Sequence, residues 1–179
     1  MKFRELYKKE IAPKLVAKFG YKSILAVPKL TKITINVGVG RNTKDKQYIE
    51  NVVKDVEVMA GQKPVMTKAK KSISAFKVRQ GDIVGVSVTL RGDKMFDFME
   101  KLVRITFPRV RDFRGISEKN VDSNGNLTVG FKEHTSFAEI KLEQVDKVHG
   151  LEVSLTTNAR SKEAGLELWR AFGIPFKKD

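Results

Sequence analysis

The sequence predicts an α+β fold: a mostly antiparallel sheet with helices packed on one face and the other face open. Three observations predict it. Leu30–Gly40 (LTKITINVGVG) alternates, with Ile33, Ile35, Val37 and Val39 on one side and Lys32, Thr34, Asn36, Gly38 and Gly40 on the other, because side chains along a strand point to opposite faces with period two. Ile83–Arg91 (IVGVSVTLR) divides the same way, Val84, Val86, Val88 and Leu90 against Gly85, Ser87, Thr89 and Arg91. Around these runs lie segments whose apolar residues recur every three or four positions, the spacing of a helix with one buried stripe. One side of each strand is thus fit for burial under helices, and the other carries mostly small and polar groups.

In chain order, Phe3, Tyr7, Ile11, Leu15 and Phe19 define a first amphipathic helix, with a kink or restart expected at Pro13, which lacks a backbone donor. Thr43–Ala60 reads as a helix capped by Asn42 or Thr43, with Asp45 in its first turn, Ile49, Val52, Val53, Val56 and Met59 inward, and Gly61 ending it. Gln62–Thr67 reads as a short strand that Pro64 assigns to an edge. Lys68–Ala75 reads as loop, and Phe76–Arg79 and Ile83–Arg91 as two strands joined at Gln80-Gly81-Asp82. Asp93 is expected to cap a helix reaching about Ile105, with Pro108 ending it. Residues 109–126 are irregular, with a turn at Asp122–Gly125. Leu127–Phe131 and Leu151–Thr157 are further strands, Ser136–Val148 has no assigned element, and Arg160–Phe172 is a last helix with Leu166, Trp169 and Phe172 inward. The expectation is one domain over 1–179, an RRM-like/ferredoxin-like variant, with a projecting basic loop at about 71–82 and an irregular interface region at about 109–126.

Charge points to the partner. Lys and Arg number 35 against 21 acids in 179 residues, a net of +14. Residues 1–92 hold 20 of the cations against 7 acids, whereas 93–179 hold 15 against 14. Charge needed only for solubility need not segregate in this way, and a basic half favours a polyanion such as nucleic acid. The densest part is 60–91, with six cations and no acid between Lys63 and Arg79. With 41% apolar residues the chain can bury a core. The absence of cysteine excludes disulfides and thiolate chemistry. No apolar run is long enough to span a membrane, and Glu5 and Glu10 interrupt the basic N-terminus, so neither membrane nor signal peptide is expected and the location expected is cytoplasmic.

Catalytic patterns are missing. Gly38-Val39-Gly40 lacks the third glycine of a dinucleotide loop, and no phosphate-binding GxxxxGK[ST] loop or GxSxG elbow occurs. His134 and His149 are read as ordinary residues without a partner at metal spacing. No enzyme activity, cofactor or metal is therefore expected. Aromatic residues fall mainly at helical spacing, and neither alternating strand carries an aromatic pair for base stacking. What remains, a basic surface beside flat polar strand faces, suits structured RNA, whose shallow minor groove displays 2′-hydroxyls and phosphates.

AGQKPVMTKAKKSISAFKVRQGDIVGVSVTLRG (60–92) and FPRVRDFRGI (107–116), with KITINVGVG (32–40), GNLTVGF (125–131) and RSKEAGLELWRAFGIPF (160–176) in the same order, closely resemble the bacterial large-subunit ribosomal protein five family. That resemblance implies an antiparallel sheet with helices on one side, in a protein that docks 5S rRNA in the central protuberance beside 23S rRNA and other central-protuberance proteins. It implies 5S rRNA contacts at Asn36, Gln62 and Thr89, with Arg91 beside them. Lys32, Lys63, Lys68 and Lys70 are the candidates for phosphate attraction. It also implies that the loop reaches peptidyl-site tRNA, for which Lys71, Ser74, Lys77 and Arg79 are candidates, and that 109–126 meets small-subunit ribosomal protein thirteen, for which Arg109, Arg111 and Arg114 are candidates. Residues 131–149 depart from the family, where a Gln is expected near His134 and a Pro near Ala138. Gln80 stands where a Glu is commoner. Two other classes compete. An RNA-modifying or nucleotide-dependent enzyme would need a constellation that is missing, and a general nucleic-acid chaperone would bind by charge alone.

Overall fold

Alternation becomes pairing in five strands: β1 (Leu30–Gly38), β2 (Val65–Lys68), β3 (Ile83–Leu90), β4 (Leu127–Phe131) and β5 (Leu151–Thr157). In the computed structural model, which describes residues 2–42, 45–141, 143 and 145–177, they form an open antiparallel sheet in the order β2-β3-β1-β5-β4. With its helices this is the expected α+β class. The chain divides into two compact units, Met1–Ile33 with Arg91–Val129 and Ser154–Asp179, and Thr34–Leu90 with Gly130–Val153; β1, β4 and β5 each start in one and finish in the other.

The first unit holds α1 (Phe3–Leu6), α2 (Ala12–Phe19), α4 (Gly92–Lys101), α5 (Phe107–Arg109) and α6 (Lys162–Ala171). Single π-helical turns, Tyr7–Ile11 and Leu102–Thr106, join α1 to α2 and α4 to α5. In each the bond reaches five residues back, Ala12 N–H to the Tyr7 carbonyl and Phe107 N–H to the Leu102 carbonyl. Pro13 and Pro108 follow directly, at the start of the next α-helical segment. A proline there lacks a donor the helix does not need, and the widened turn relieves its clash with the carbonyl four residues earlier. Pro108 therefore does not end its helix, contrary to expectation. Asp93 does not cap α4 either; it lies in the first turn and pairs with Arg4 at 2.6 Å. At the core of this unit Trp169 is wholly buried and its Nε1–H donates to the Gly125 carbonyl at 2.9 Å. Phe172 stacks against Phe3 and Tyr7 at 5.7 and 6.1 Å between centroids.

The second unit is built on α3 (Lys46–Ala60), whose Ile49, Val52, Val56 and Met59 are buried. Its cap is Asp45, which accepts from the Tyr48 N–H at 3.0 Å. Asn42 instead closes a preceding 3-10 turn, and Thr43 lies outside the described residues. Gly61 ends the helix at φ 62, a left-handed conformation that glycine adopts without strain. β2 is an edge strand, as Pro64 predicts, but it starts at Val65 rather than Gln62, since Pro64 has no N–H to pair. It pairs with β3 as Val65↔Ser87, Met66↔Val86 and Thr67↔Gly85. Phe76–Arg79 is not a strand. Ser74–Phe76 is a 3-10 turn and Lys77 is left-handed at φ 53, so the alternation of Phe-Lys-Val-Arg never becomes a ladder. Residues 134–136 form a 3-10 turn in the connection from β4 to β5.

Candidate nucleic-acid interface

β1 and β3 sort their side chains by neighbour. Ile35, Val37, Val86 and Leu90 are 0% exposed. On the opposite side Asn36 and Thr89 are exposed and Thr34 and Ser87 half-buried. The Ser87 hydroxyl donates to the Ile35 carbonyl at 3.2 Å, and Gln62 Nε2 donates to the Thr89 carbonyl at 3.2 Å, which fixes the half-buried Gln62 amide at the end of β3. Among the described residues neither the Asn36 amide nor the Thr89 hydroxyl has a hydrogen-bonding partner. Gly85 keeps this face low: a Cβ there would lie 2.7 Å from Thr67 Oγ1 and 3.6 Å from Asn36 Oδ1. Lys63, Lys68 and Lys70 are exposed in the same unit. Lys32, half-buried, and Arg91, exposed with Nη1 3.5 Å from the Thr31 carbonyl, belong to the first unit.

The basic loop is an ordered hairpin tip. Ile73 and Val78 exchange backbone hydrogen bonds at 2.9 and 3.2 Å. Asp82 accepts from the Arg79 N–H at 2.8 Å and Ser72 Oγ from the Gln80 N–H at 2.9 Å. Lys71, Ser74, Lys77 and Arg79 all stand exposed on it, as does Phe76 at 74%. An open groove of about 1380 Å³ runs beside this tip, lined by Lys70, Lys71, Ile73 and Phe76 together with Gly38 and Gly40. In the first unit Arg109, Arg111 and Arg114 are exposed on a segment held at both ends: Phe113 stacks on Phe107 at 5.3 Å, and Ile116 donates its N–H to the Pro175 carbonyl at 2.8 Å.

One constellation escapes sequence reading. His134 and His149 have no partner at metal spacing along the chain, yet the fold stacks their rings 3.9 Å apart at 3°. Both Nε2 atoms face one oxygen of Asp55, at 3.6 and 3.4 Å. Burial, then the neighbouring His149, pull the His134 imidazole below its ordinary pKa, against the opposing pull of Asp55. The one available signal was Asp55 itself, a carboxylate beside the buried Val52–Val56–Met59 stripe of α3.

The uncovered polar strand face and its basic surroundings define a class, the components of ribonucleoprotein particles. Comparison with known proteins is specific within it. Residues 23–79 match the family described as ribosomal protein L5, and residues 83–176 match the description of that ribosomal family's C-terminus. The large ribosomal subunit protein uL5 of Desulforapulum autotrophicum is 51% identical over 97% of each chain. Its namesake from Cupriavidus taiwanensis is 48% identical over 98% of each, and that from Moorella thermoacetica 49% identical over 99% of this chain and 98% of its own. The chain belongs to the ribosomal protein L5 family, a structural and non-enzymatic component of the ribosome. No helix among the described residues is long and apolar enough to cross a membrane.

Proposed function

We propose that this protein, a structural component of the large ribosomal subunit, binds 5S rRNA through the open side of β1 and β3 and helps attach it in the central protuberance. The observation that carries this reading is the pair of exposed, unpartnered polar groups, Asn36 and Thr89, beside the tethered Gln62. Uncharged donors and acceptors on a flat surface suit 2′-hydroxyls and base edges, and they carry selectivity that charge cannot. Lys32, Lys63, Lys68, Lys70 and Arg91 then hold the phosphates. The exposed Lys71, Ser74, Lys77 and Arg79 on the hairpin tip fit backbone contact with peptidyl-site tRNA. The exposed Arg109, Arg111 and Arg114 fit a bridge to small-subunit ribosomal protein thirteen. Contact with 23S rRNA and other central-protuberance proteins belongs to the same placement.

The test is a binding titration with 5S rRNA and with an unrelated folded RNA of equal length. Asn36→Ala or Thr89→Ala is expected to weaken 5S rRNA binding by about 1–3 kcal/mol, the loss when a buried polar partner goes unpaired, and to leave the unrelated RNA unaffected. Equal loss for both RNAs would favour a chaperone that binds by charge alone.

A further inference from the structure

We propose that Asp55, His134 and His149 bind one divalent transition-metal ion of the zinc class, in a site separate from the RNA-facing strands. His149 Nδ1 lies 3.4 Å from the Gly150 carbonyl oxygen and its Nε2 3.4 Å from Asp55 Oδ2; in the tautomer that donates from Nδ1 to the carbonyl, the Nε2 lone pair is free for a metal ion. His134 is 0% exposed, and its Nε2 has no hydrogen-bond partner while facing the same carboxylate oxygen at 3.6 Å. A buried polar atom without a partner calls for an unseen water or ion. Two ring nitrogens and a carboxylate oxygen lie within 4.8 Å of one another, and a metal ion bound among them would satisfy all three at once.

Spacing supports this. Bonds of about 2.0–2.2 Å arranged as a tetrahedron put ligand atoms about 3.3 Å apart; here the two nitrogens lie 3.6 and 3.4 Å from the oxygen. Two imidazoles and one carboxylate suit zinc, cobalt or nickel, whereas magnesium and calcium prefer oxygen alone. His134 Nδ1 lies 3.2 Å from the His149 backbone nitrogen and 3.3 Å from the His149 carbonyl oxygen; binding a metal at Nε2 takes the tautomer in which Nδ1 donates to that carbonyl. A cavity of about 100 Å³, lined by Tyr48, Asn51, Asp55, Lys147 and His149, opens onto the site and leaves room for a water as fourth ligand. The Lys147 ammonium at its wall is held by Asp45 at 2.9 Å. The rings are parallel to within 3°, so an ion lying in both ring planes requires one to turn. His149 is the ring of the two that borders the cavity. The ion would tie α3 to the connection between β4 and β5, all within the second unit.

The full-length protein, stripped with chelator, would be titrated with Co²⁺ and then Zn²⁺. The proposal expects one equivalent, a visible absorption band of four-coordinate cobalt that zinc abolishes, displaced ring-proton resonances of both histidines, and a Zn²⁺-dependent rise in melting temperature. His134→Gln, which restores the residue type the family resemblance leads one to expect there, and Asp55→Asn should each weaken Zn²⁺ binding by at least about tenfold. No cobalt band and no melting shift in the unsubstituted protein would overturn the site, whatever the variants do. So would an unchanged affinity in folded His134→Gln.

Discussion

Gly85 shows how little mass separates a readable surface from a blocked one. A methyl group there meets the Thr67 hydroxyl at 2.7 Å and the Val37 carbonyl at 3.3 Å. The hydroxyl is the end of an exposed side chain and can rotate away, so Gly85→Ala should cost about 1 kcal/mol of stability at most. It should nonetheless weaken 5S rRNA binding about tenfold, since the added group stands next to Asn36. Paired melting and binding curves separate the two effects. At this scale the sequence was a good guide to Asn36 and Thr89, because period-two alternation assigns a face without knowledge of any partner. It was blind to His134, His149 and Asp55. Their meeting depends on the β4–β5 connection docking on a helix, and no periodicity within one element reports that.

Among elements, the tightest constraint lies where α6 crosses the turn before β4. A Cβ on Gly165 would overlap the backbone of Gly125, which cannot rotate away. The same turn presents the Gly125 carbonyl to Trp169. Gly165→Ala should therefore destabilise the protein by about 2 kcal/mol or more in a thermal melt, with 5S rRNA affinity of the folded fraction unchanged. Asp122 organises that turn. Its burial raises the carboxyl pKa, but hydrogen bonds from the Asn126 side chain and the backbone N–H groups of Asn126, Asn124 and Gly125 outweigh this and hold it below the ordinary 3.8. A carboxylate depressed in the fold contributes stability that is complete above its unfolded pKa and disappears as pH falls through the lower folded value. Asp122→Ala should thus lose stability at neutral pH and show a shallower decline below about pH 4 in acid denaturation.

The same elements show where pattern reading succeeds. Long amphipathic helices were legible because their stripes repeat over several turns. Their ends were less so. Pro108 looks like a stop but is absorbed by a π-helical turn, and Asp93 looks like a cap but is drawn to Arg4. Phe76–Arg79 alternates like a strand, yet Lys77 at φ 53 breaks it.

For the whole molecule the governing quantity is charge. The first 92 residues carry 20 Lys and Arg against 7 acids, and the rest is nearly balanced. This asymmetry is plain in the sequence alone, and it points to a polyanionic partner whatever the fold. It also predicts how affinity responds to salt. Lys68→Ala or Lys70→Ala should lower the slope of log K against log salt by about 0.7–0.9 for each phosphate that the variant no longer neutralises, whereas Asn36→Ala should leave the slope unchanged. Titrations of each variant over a series of ionic strengths would distinguish the two kinds of residue.

The border position of β2 has a consequence for the protein before it meets its RNA. Val65 and Met66 are 68% and 48% exposed on a strand with no neighbour on its outer side among the described residues. Such a margin can recruit a second chain edge to edge. Pro64 just before it and the cations Lys63 and Lys68 around it are the residues that discourage such self-association. The same lysines that are proposed to hold phosphate would thus guard newly synthesised copies against clumping.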